Sequence, residues 1–350
     1  MNADFSNSYY IRLIIDNIRE EIKGFKTFSF AEGHNIEYQA GQFITLVDNS
    51  GSREIRRSYS IISSPVLKEP LSIAVKRIDN GVFSRKLIDR VRIGDSLLTT
   101  GAAGFFRLPD NIKFFTSIFF FAAGSGIAPI LSLIKTVLLL YPDISVFLIY
   151  SNRSMETTAF YHELQHLKLR HPNQLHIDYL FSSESDLRKA RLNRDLLLEF
   201  LKIKHFNREQ TLFFTCGPES YMRMIIFHLV EEGFSINHIK KEDFNPGNKK
   251  LTSRLPPDKN SYHVELDLKG SMFSFPVKYP ESILQAAKKI KLNLPYSCET
   301  GKCGSCAAIC LKGKVWLSNN EVLTDKDLAL GLTLTCTGHP QNGDVKLKIE

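Results

Sequence analysis

Four of the six cysteines in this chain lie within fifteen residues, in the stretch YSCETGKCGSCAAIC. Cys298, Cys303 and Cys306 have the spacing C-x4-C-x2-C, and Cys336 follows in LTLTCTGHP. A [2Fe–2S] cluster requires four thiolates to converge on two irons, and this spacing is one of those that bind it. Three ligands would come from one tight loop, and the fourth would come from a distant segment.

Zinc is the alternative metal for such a group of thiols. Zinc sites usually combine two C-x2-C pairs, or one pair with histidine. Only one C-x2-C is present, and the four-cysteine set is complete without the nearby His339. We therefore predict an iron–sulfur cluster, with Gly301 and Gly304 allowing the loop to curl. Cys310 lies in the apolar run AAIC and is predicted to be a small core residue.

The segment from residue 261 to 350 resembles a plant-type ferredoxin domain on these motifs. Upstream, R-x-Y-S at Arg57–Ser60 and GVFS at Gly81–Ser84 resemble the flavin site of the ferredoxin–NADP reductase superfamily. The resemblance implies that Arg57 pairs with flavin phosphates and that Tyr59 lies against the isoalloxazine ring. Helix N–H groups after Gly81 would face the pyrophosphate. The flavin set so implied is Arg57, Ser58, Tyr59, Ser60, Ile61, Val75, Lys76, Gly81, Val82, Phe83, Ser84 and Phe244.

The sequence AGSGIAP, from Ala123 to Pro129, follows an apolar strand and opens a helix, as a dinucleotide-binding turn requires. It resembles the superfamily motif G-G-x-G-I-x-P. Ala123 replaces the usual first glycine and Ala128 a common threonine, so nucleotide affinity or orientation is expected to be weaker. The implied nucleotide-binding residues in this turn are Gly124, Ser125, Gly126, Ile127 and Pro129.

Two further motifs match the superfamily. Cys216-Gly217-Pro218 ends a strand, and the resemblance puts it beside the nicotinamide. The triplet Glu242-Asp243-Phe244 matches E-x-F, which implies that Phe244 covers the flavin ring and that Glu242 lies near the nicotinamide. Without the resemblance, Cys216 is better explained as a buried structural thiol, and Phe244 could be any core aromatic. The catalytic residues that the resemblance implies are Ser60, Cys216 and Glu242.

The end of the second strand of a dinucleotide fold is where the adenosine ribose is recognised. Here that strand is followed by Ser151, Asn152 and Arg153, and no acidic residue occurs before Glu156. A cation at this position accommodates the 2′-phosphate of NADPH, whereas an acid favours NADH. We therefore predict NADPH and leave NADH open, because arginine is also common on plain surfaces. Arg188 and Arg191 would add charge if their loop folds back.

The pattern of elements changes along the chain. Short strands separated by turns predict a β-barrel or a β-sandwich first, and the resemblance to the superfamily implies an antiparallel β-barrel. Strands that alternate with helices then predict a parallel α/β sheet, and a Pro-, Lys- and Asn-rich stretch predicts a linker. We expect a multidomain protein with four segments: an FAD-binding β-barrel (1–111), an NAD(P)-binding α/β domain (112–244), a linker (245–260) and an α+β (β-grasp) [2Fe–2S] ferredoxin domain (261–350).

Composition limits the location and the partners. No basic segment with an apolar core opens the chain, so no secretory signal is expected, and clustered thiols favour a reducing compartment, the cytoplasm. The net charge of +8 is scattered, without a basic aromatic stripe, so no nucleic acid is expected. The uncharged run from Phe114 to Ile134 is long enough to span a bilayer, but its internal Gly and Pro residues predict a buried strand, a turn and a helix instead.

The domain order suggests an electron path from NADPH to FAD to the [2Fe–2S] cluster and on to a partner protein. The whole architecture resembles the reductase components of multicomponent oxygenases, including that of phenylacetyl-CoA epoxidase. The resemblance implies a terminal oxygenase, such as that epoxidase or a ring hydroxylase, as the electron acceptor. The alternatives are a reductase for a fatty-acid desaturase or another acceptor, a slow redox sensor, and a basic binding protein that has kept cofactor motifs.

Overall fold

A computed structural model describes residues 10–49, 51, 54–186, 190–203, 206–244 and 254–349 of the 350-residue chain. Residues 245–253 of the predicted linker lie outside the described part. The chain divides into two compact units. One contains residues 12–102 and 106–244, and the other is formed mainly by the C-terminal part of the chain.

The first unit begins with six antiparallel strands in the order β4-β3-β6-β1-β2-β5. A bridge between Ile61 and Ile73 joins the two ends of this order, which closes the sheet into the predicted barrel. Alternate side chains of the strands fill its interior, as the pleat requires. The elements are β1 (Ile11–Ile22), β2 (Phe25–Phe30), β3 (Phe43–Asp48), β4 (Ile55–Ser60), β5 (Ser72–Lys76), α1 (Val82–Arg90) and β6 (Ser96–Ala103).

The same unit continues with a five-stranded parallel sheet in the order β11-β10-β7-β8-β9. The central strand β7 reads SIFFFAA and is buried on both faces, which is why it is apolar throughout. The elements are β7 (Ser117–Ala123), α2 (Ile127–Leu140), β8 (Ser145–Asn152), α3 (Tyr161–Arg170), β9 (Leu175–Phe181), α4 (Arg194–Ile203), β10 (Thr211–Cys216), α5 (Glu219–Glu231) and β11 (Ile239–Glu242).

The C-terminal unit holds a five-stranded mixed sheet in the order β13-β12-β18-β14-β16. The first strand β12 pairs antiparallel with β13 and parallel with the last strand β18, as in a β-grasp fold. The elements are β12 (Tyr262–Leu268), β13 (Ser271–Val277), α6 (Ile283–Lys289), β14 (Ala307–Lys312), β15 (Val315–Leu317), α7 (Asp325–Ala329), β16 (Leu332–Leu334), β17 (Gly338–Pro340) and β18 (Val345–Ile349).

The three predicted folds are confirmed, and the differences are local. The apolar run from Phe114 to Ile134 forms β7, a glycine turn and the start of α2, and no described helix is long and apolar enough to cross a membrane. The structure adds the short strand β11, with the sequence IKKE, which was not predicted. Its pairing with β10 stabilises a charged segment that has little strand propensity of its own.

Candidate functional site

The cysteine loop leaves helix α6 and returns to the sheet at β14. Gly301 and Gly304 both have φ of +75°, a conformation that glycine adopts without strain. A Cβ on Gly301 would lie 2.6 Å from the carbonyl oxygen of Asn319, so glycine is also required by space. The loop is therefore shaped by its backbone as well as by its cysteines.

Asn319 braces this loop from the neighbouring segment. Its Nδ2 donates to the carbonyl of Thr300 at 2.7 Å, and its own carbonyl accepts from Thr337 Oγ1 at 2.8 Å. The backbone N–H of Glu321 donates to the carbonyl of Gly301 at 3.0 Å. These bonds tie the loop to the segment that follows Cys336, so the distant fourth cysteine is held in register with the first three.

The four cysteines interact as two pairs. A hydrogen bond from Cys303 lowers the pKa of Cys298 to about 5, and the same bond raises the pKa of Cys303. Cys306 is hydrogen-bonded to Cys336, which raises the pKa of the buried Cys306 thiol. All four are free thiols. In the described part of the chain no three metal-binding side chains converge on one ion, and two thiols for each of two irons is the arrangement that a binuclear cluster needs.

Cys310 lies apart from these pairs. Its Sγ is 3.5 Å from the carbonyl oxygen of Lys312 and 3.7 Å from that of Gly313, and the side chain packs at the edge of the core. The two thiol pairs, Cys298 with Cys303 and Cys306 with Cys336, therefore do not include Cys310.

The R-x-Y-S residues lie on β4, paired with β3. Tyr59 is opposite Ile44, and Ser60 is opposite Phe43. Arg57 is exposed and Tyr59 half-buried, and both lie on one face of the strand because side chains alternate. Ser58 lies on the other face, with its Oγ 3.0 Å from Thr45 Oγ1, and the predicted Ile61 is buried at the end of this strand.

Helix α1 places the GVFS residues beside β4. The ring of Phe83 lies 6.1 Å from the ring of Tyr59, while Val82 is exposed and Ser84 buried. Gly81 begins the helix without a side-chain cap, and a Cβ there would meet Ser84 Oγ at 2.5 Å. A helix N-terminus of this kind offers N–H groups to a phosphate. The residues present fit a flavin diphosphate, with an aromatic ring available beside Arg57.

Strand β5 contributes the other two predicted flavin residues. Val75 is fully buried, whereas Lys76 is exposed. Lys76 pairs with Phe25 of β2 rather than with a strand that carries the R-x-Y-S motif. The two residues lie next to each other on the strand and so point to opposite faces.

The dinucleotide turn and the C-G-P segment are in backbone contact. A Cβ on Gly126 would lie 2.0 Å from the carbonyl oxygen of Cys216, which only glycine permits. Ala123, which stands where the superfamily has glycine, packs its Cβ against Gly217, where an added Cβ would lie 2.9 Å away. The predicted Ser125 is in this turn, and Ile127 and Pro129 are buried in the first turn of α2.

Buried polar atoms collect at the carboxyl ends of the parallel strands. Within the described residues, Ser151 Oγ, Asn152 Nδ2, Thr215 Oγ1 and Glu242 Oε2 are buried without a hydrogen-bond partner. Buried polar atoms are normally paired, so four together indicate a polar ligand. A nicotinamide nucleotide, with its amide, hydroxyl and phosphate groups, fits this edge.

Glu242 and Cys216 are direct neighbours on β11 and β10. Burial raises the pKa of Glu242 to about 8, so its carboxyl group keeps a proton at neutral pH. Burial, together with the nearby Glu242, also raises the pKa of the Cys216 thiol well above its usual value. Both side chains are therefore neutral at pH 7. Phe244 follows β11 and is 45% exposed, so its ring is available to a ligand.

A cavity of about 430 Å³ opens at the same edge of the sheet. Ser151 and Asn152 line it, together with Ser182, Tyr221 and Arg191. The sequence predicted Arg191 only as a possible additional positive charge at the ribose site, because its distance from that site depends on how the loop after β9 folds.

Arg153, the predicted 2′-phosphate cation, is exposed at the end of β8, and the lining of that cavity contains Arg191 instead. Arg188, the other possible addition, lies outside the described residues. Thr215 was not predicted at all, and its only sequence signal is its place immediately before Cys216 at the end of a strand.

Comparisons with known proteins agree with this geometry. Family models of an oxidoreductase FAD-binding domain, an oxidoreductase NAD-binding domain and a 2Fe-2S iron-sulfur cluster binding domain match residues 15–108, 120–226 and 266–341. The E component of the 1,2-phenylacetyl-CoA epoxidase of Escherichia coli K12 is 32% identical over 343 residues, which cover 95% of this chain and 96% of that relative. The chain belongs to the ferredoxin–NADP reductase superfamily, in the branch with a C-terminal [2Fe–2S] ferredoxin domain.

Other oxygenase reductases align with this chain over similar lengths. The ferredoxin reductase component of a 3-ketosteroid-9-alpha-monooxygenase from Rhodococcus rhodochrous is 29% identical, over 96% of both chains. The solved structure of phthalate dioxygenase reductase matches with a TM-score of 0.60 and 24% identity, and covers 97% of this chain and 98% of that one. The protein is an NAD(P)H-dependent oxidoreductase with FAD, nicotinamide and iron–sulfur sites.

The Asn319 brace predicts how firmly this reductase holds its cluster. Asn319→Ala removes a bond to the loop carbonyl of Thr300, which is worth about 1 kcal/mol. We expect iron to be lost several-fold faster to a chelator, with the flavin content unchanged. Asn293→Ala, which removes a hydrogen bond to Tyr10 outside the cysteine loop, is the control. Equal rates of iron loss in the two variants would contradict the role of the brace.

Glu242 predicts a pH dependence of stability. Its pKa is about 8 in the folded reductase and ordinary when unfolded. Between about pH 4.5 and 8 the unfolded chain releases a proton that the folded chain keeps, so stability falls as pH rises through this window. Glu242→Gln abolishes this loss. By calorimetry its free energy of unfolding should be close to that of the wild type at pH 4.5 and exceed it by about 4 kcal/mol at pH 8.

The exposed Glu199 supplies the control for this measurement. Glu199→Gln should follow the wild-type pH profile throughout. A Glu242→Gln profile that runs parallel to the wild type would show that the carboxyl group is ionised in the folded protein.

Proposed function

We propose that the protein is the reductase component of a multicomponent oxygenase, which takes hydride from NADPH and delivers electrons to a terminal oxygenase in the cytoplasm. A bound flavin accepts two electrons as hydride and releases them singly, and the cluster relays single electrons. The observation that carries the proposal is that one chain matches FAD-binding, NAD-binding and 2Fe-2S domain models and aligns over 95% of its length with a component of an oxygenase. Phenylacetyl-CoA epoxidase is the first candidate partner, because its E component is 32% identical to this chain over almost the full length of both.

The residues of this chain contribute binding and orientation. We propose that Arg57 and the N-terminus of α1 hold the flavin phosphates, that Tyr59 and Phe244 contact the ring, and that Ser60 donates a hydrogen bond near its reacting nitrogen. Tyr59 and Phe244 are partly exposed, which supports contact with a ligand. Ser60 is buried, so its hydroxyl would act in a site with little water.

On the nucleotide side, we propose that the turn from Gly124 to Pro129 binds the pyrophosphate and that the edge from Cys216 to Pro218 meets the nicotinamide. Glu242 would hold its proton at the carboxyl group and donate a hydrogen bond toward the carboxamide. Its neutrality matters, since an ionised carboxylate beside the nicotinamide would stabilise the cationic, oxidised form that must leave.

The domain limits follow from this assignment. We propose that residues 1–111, 112–244 and 261–350 carry the flavin, nucleotide and cluster sites, with residues 245–260 as the linker. The separation of the C-terminal part of the chain from residues 12–102 and 106–244 supports a distinct cluster-bearing domain, although residues 103–105 of the proposed flavin segment group with it.

A spectroscopic titration tests the function. Anaerobically purified protein should show flavin and iron–sulfur bands, and both should bleach when NADPH is added. Flavin bands without cluster bands would contradict the cluster assignment. Cofactors that neither NADPH nor NADH reduces would contradict the reductase activity.

The cluster ligands predict a separation of two activities. Cys298→Ser removes one of the four thiolates, so NADPH oxidation by an artificial dye should continue while electron delivery to cytochrome c falls at least tenfold. Cys310→Ser, which changes the neighbouring thiol outside the paired set, should keep both activities. Retention of both activities by Cys298→Ser would show that the cluster is not on the electron path.

The preference for NADPH rests on the arginines near the ribose site. A guanidinium that contacts the 2′-phosphate contributes about 1.5–3 kcal/mol through charged hydrogen bonds. Arg191→Ala or Arg153→Ala should therefore raise Kd for NADPH at least tenfold and leave Kd for NADH within twofold. We expect the larger effect from Arg191, because it lines the cavity. Equal weakening for both nucleotides in both variants would contradict a role in specificity.

A further inference from the structure

Helix α2 carries three buried polar residues in an otherwise apolar sequence, IAPILSLIKTVLLL. Ser132, Lys135 and Thr136 are at spacings of three and four, so they share one face of the helix. Their exposed fractions are 0%, 7% and 6%. Thr136 Oγ1 donates to the carbonyl of Ser132 within the helix at 2.9 Å. The described residues of the helix provide no such partner for the Lys135 ammonium, and a buried lysine requires one.

The partners of this face belong to the flavin barrel. Ser132 Oγ donates to the carbonyl of Ser63 at 2.6 Å, and Thr136 Oγ1 lies 2.7 Å from Ser64 Oγ. Ser63 and Ser64 come soon after the strand that carries R-x-Y-S. The face of α2 is therefore hydrogen-bonded to the segment that continues the flavin-binding strand.

Lys135 completes this contact as an ion-paired bridge. Its Nζ lies 3.2 Å from Glu69 Oε2 in the barrel and 2.7 Å from Glu163 Oε1 on α3. Glu69 also accepts the backbone N–H of Ser64 at 2.5 Å, and Glu163 lies 3.6 Å from Arg19 on strand β1. One buried ammonium thus links the helix, the barrel segment and the neighbouring helix.

The barrel segment is itself fixed to its surroundings. Ser63 Oγ accepts the backbone N–H of Ser72 at 3.0 Å and lies 2.9 Å from Tyr38 Oη. Movement of α2 would consequently be transmitted to the end of the flavin-binding strand. We define Ser132, Lys135, Thr136, Ser63, Ser64, Glu69 and Glu163 as the polar seam.

We propose that Lys135 is a positioning residue for hydride transfer, which holds the nucleotide-binding turn at a fixed distance from the flavin barrel through the polar seam. Apolar packing is non-directional, so on its own it allows small sliding of a helix. Ion pairs and hydrogen bonds with fixed partners specify one position. This inference rests on the proposed function, because it needs hydride to pass between the two ligands.

The expected size of the effect follows from the geometry of the reaction. Hydride transfer requires the reacting atoms to be about 3–3.5 Å apart, and a misplacement of about 1 Å can cost 100-fold in rate. Lys135 lies eight residues into α2, about 12 Å along the helix from the first residue after the glycine turn. It therefore lies away from the nucleotide-binding turn and acts on it through the helix.

Stopped-flow reduction of the flavin by NADPH tests the inference in the full-length holoprotein. Lys135→Met keeps the length of the side chain and removes the charge, and its limiting rate at saturating NADPH should fall ten- to 100-fold. Lys135→Arg should recover most of the rate. Lys168→Met, which changes an exposed lysine on α3 in the same way, should react as the wild type does.

Two measurements that do not depend on turnover separate positioning from general damage. The affinity for 2′,5′-ADP, which reports the nucleotide site alone, should stay within twofold of wild type in Lys135→Met. Exchange of the Ser64 and Ser72 amide hydrogens should become at least tenfold faster. The Ser64 amide donates to Glu69 and the Ser72 amide donates to Ser63, and both acceptors belong to the polar seam. If Lys135→Met does not fold, Glu69→Gln and Glu163→Gln each remove one carboxylate charge with little change in size, and each should slow the limiting rate at least threefold.

The outcomes are distinct. A limiting rate within twofold of wild type in folded, flavin-loaded Lys135→Met, or in both carboxamide variants, would overturn the positioning role. So would a loss that appears only in nucleotide affinity or flavin content. Failure of the wild type itself to take hydride from NADPH would instead contradict the proposed function.

Discussion

The nucleotide half of this reductase depends on a backbone contact that leaves no room for a side chain. A Cβ at Gly126 would lie 2.0 Å from the carbonyl oxygen of Cys216. Strands β7 and β10 are neighbours in parallel register, with Cys216 opposite Ala122, so this contact fixes where α2 begins relative to the C-G-P segment. The unpaired atoms of Thr215 and Glu242 then fall at one edge, where a nucleotide can meet them.

Buried polar groups have two different roles in the same unit. Along the polar seam the ammonium of Lys135 has two carboxylates within 3.2 Å, so burial is compensated and the contact specifies one arrangement. At the carboxyl edge of the sheet the atoms of Ser151, Asn152 and Glu242 have no partner within the described chain. The Lys135 ammonium in the polar seam is paired without any ligand. The unpaired polar atoms at the carboxyl edge of the sheet would instead be paired by a bound nucleotide.

The cysteine loop is likewise held in shape by hydrogen bonds of the protein before a cluster binds. Its thiols form two pairs, and its backbone is held both by Asn319 and by the Cys298 thiol, which accepts the N–H of Thr300 at 3.4 Å. A loop that is already curled by Gly301 loses less conformational freedom when a cluster binds. The matches to FAD-binding, NAD-binding and 2Fe-2S domain models follow one another along this chain, and each matched segment contains its own sheet.

Apolar periodicity and the spacing of cysteines and glycines are local properties of a chain, so they were enough to predict the parallel α/β sheet and the four-cysteine set, whereas the flavin and nucleotide residues were implied only by the resemblance to a known superfamily. They predicted β7, α2 and the four cysteines but missed β11, since IKKE becomes a strand only by pairing with β10. The sequence could not show whether Arg153 or Arg191 lies closer to the nucleotide site, because the fold of the loop after β9 determines which guanidinium lines the cavity. The bridge from Lys135 to Glu69 and Glu163 had no sequence signal, since its members are 66 and 28 residues apart and meet only when the helix packs on the barrel.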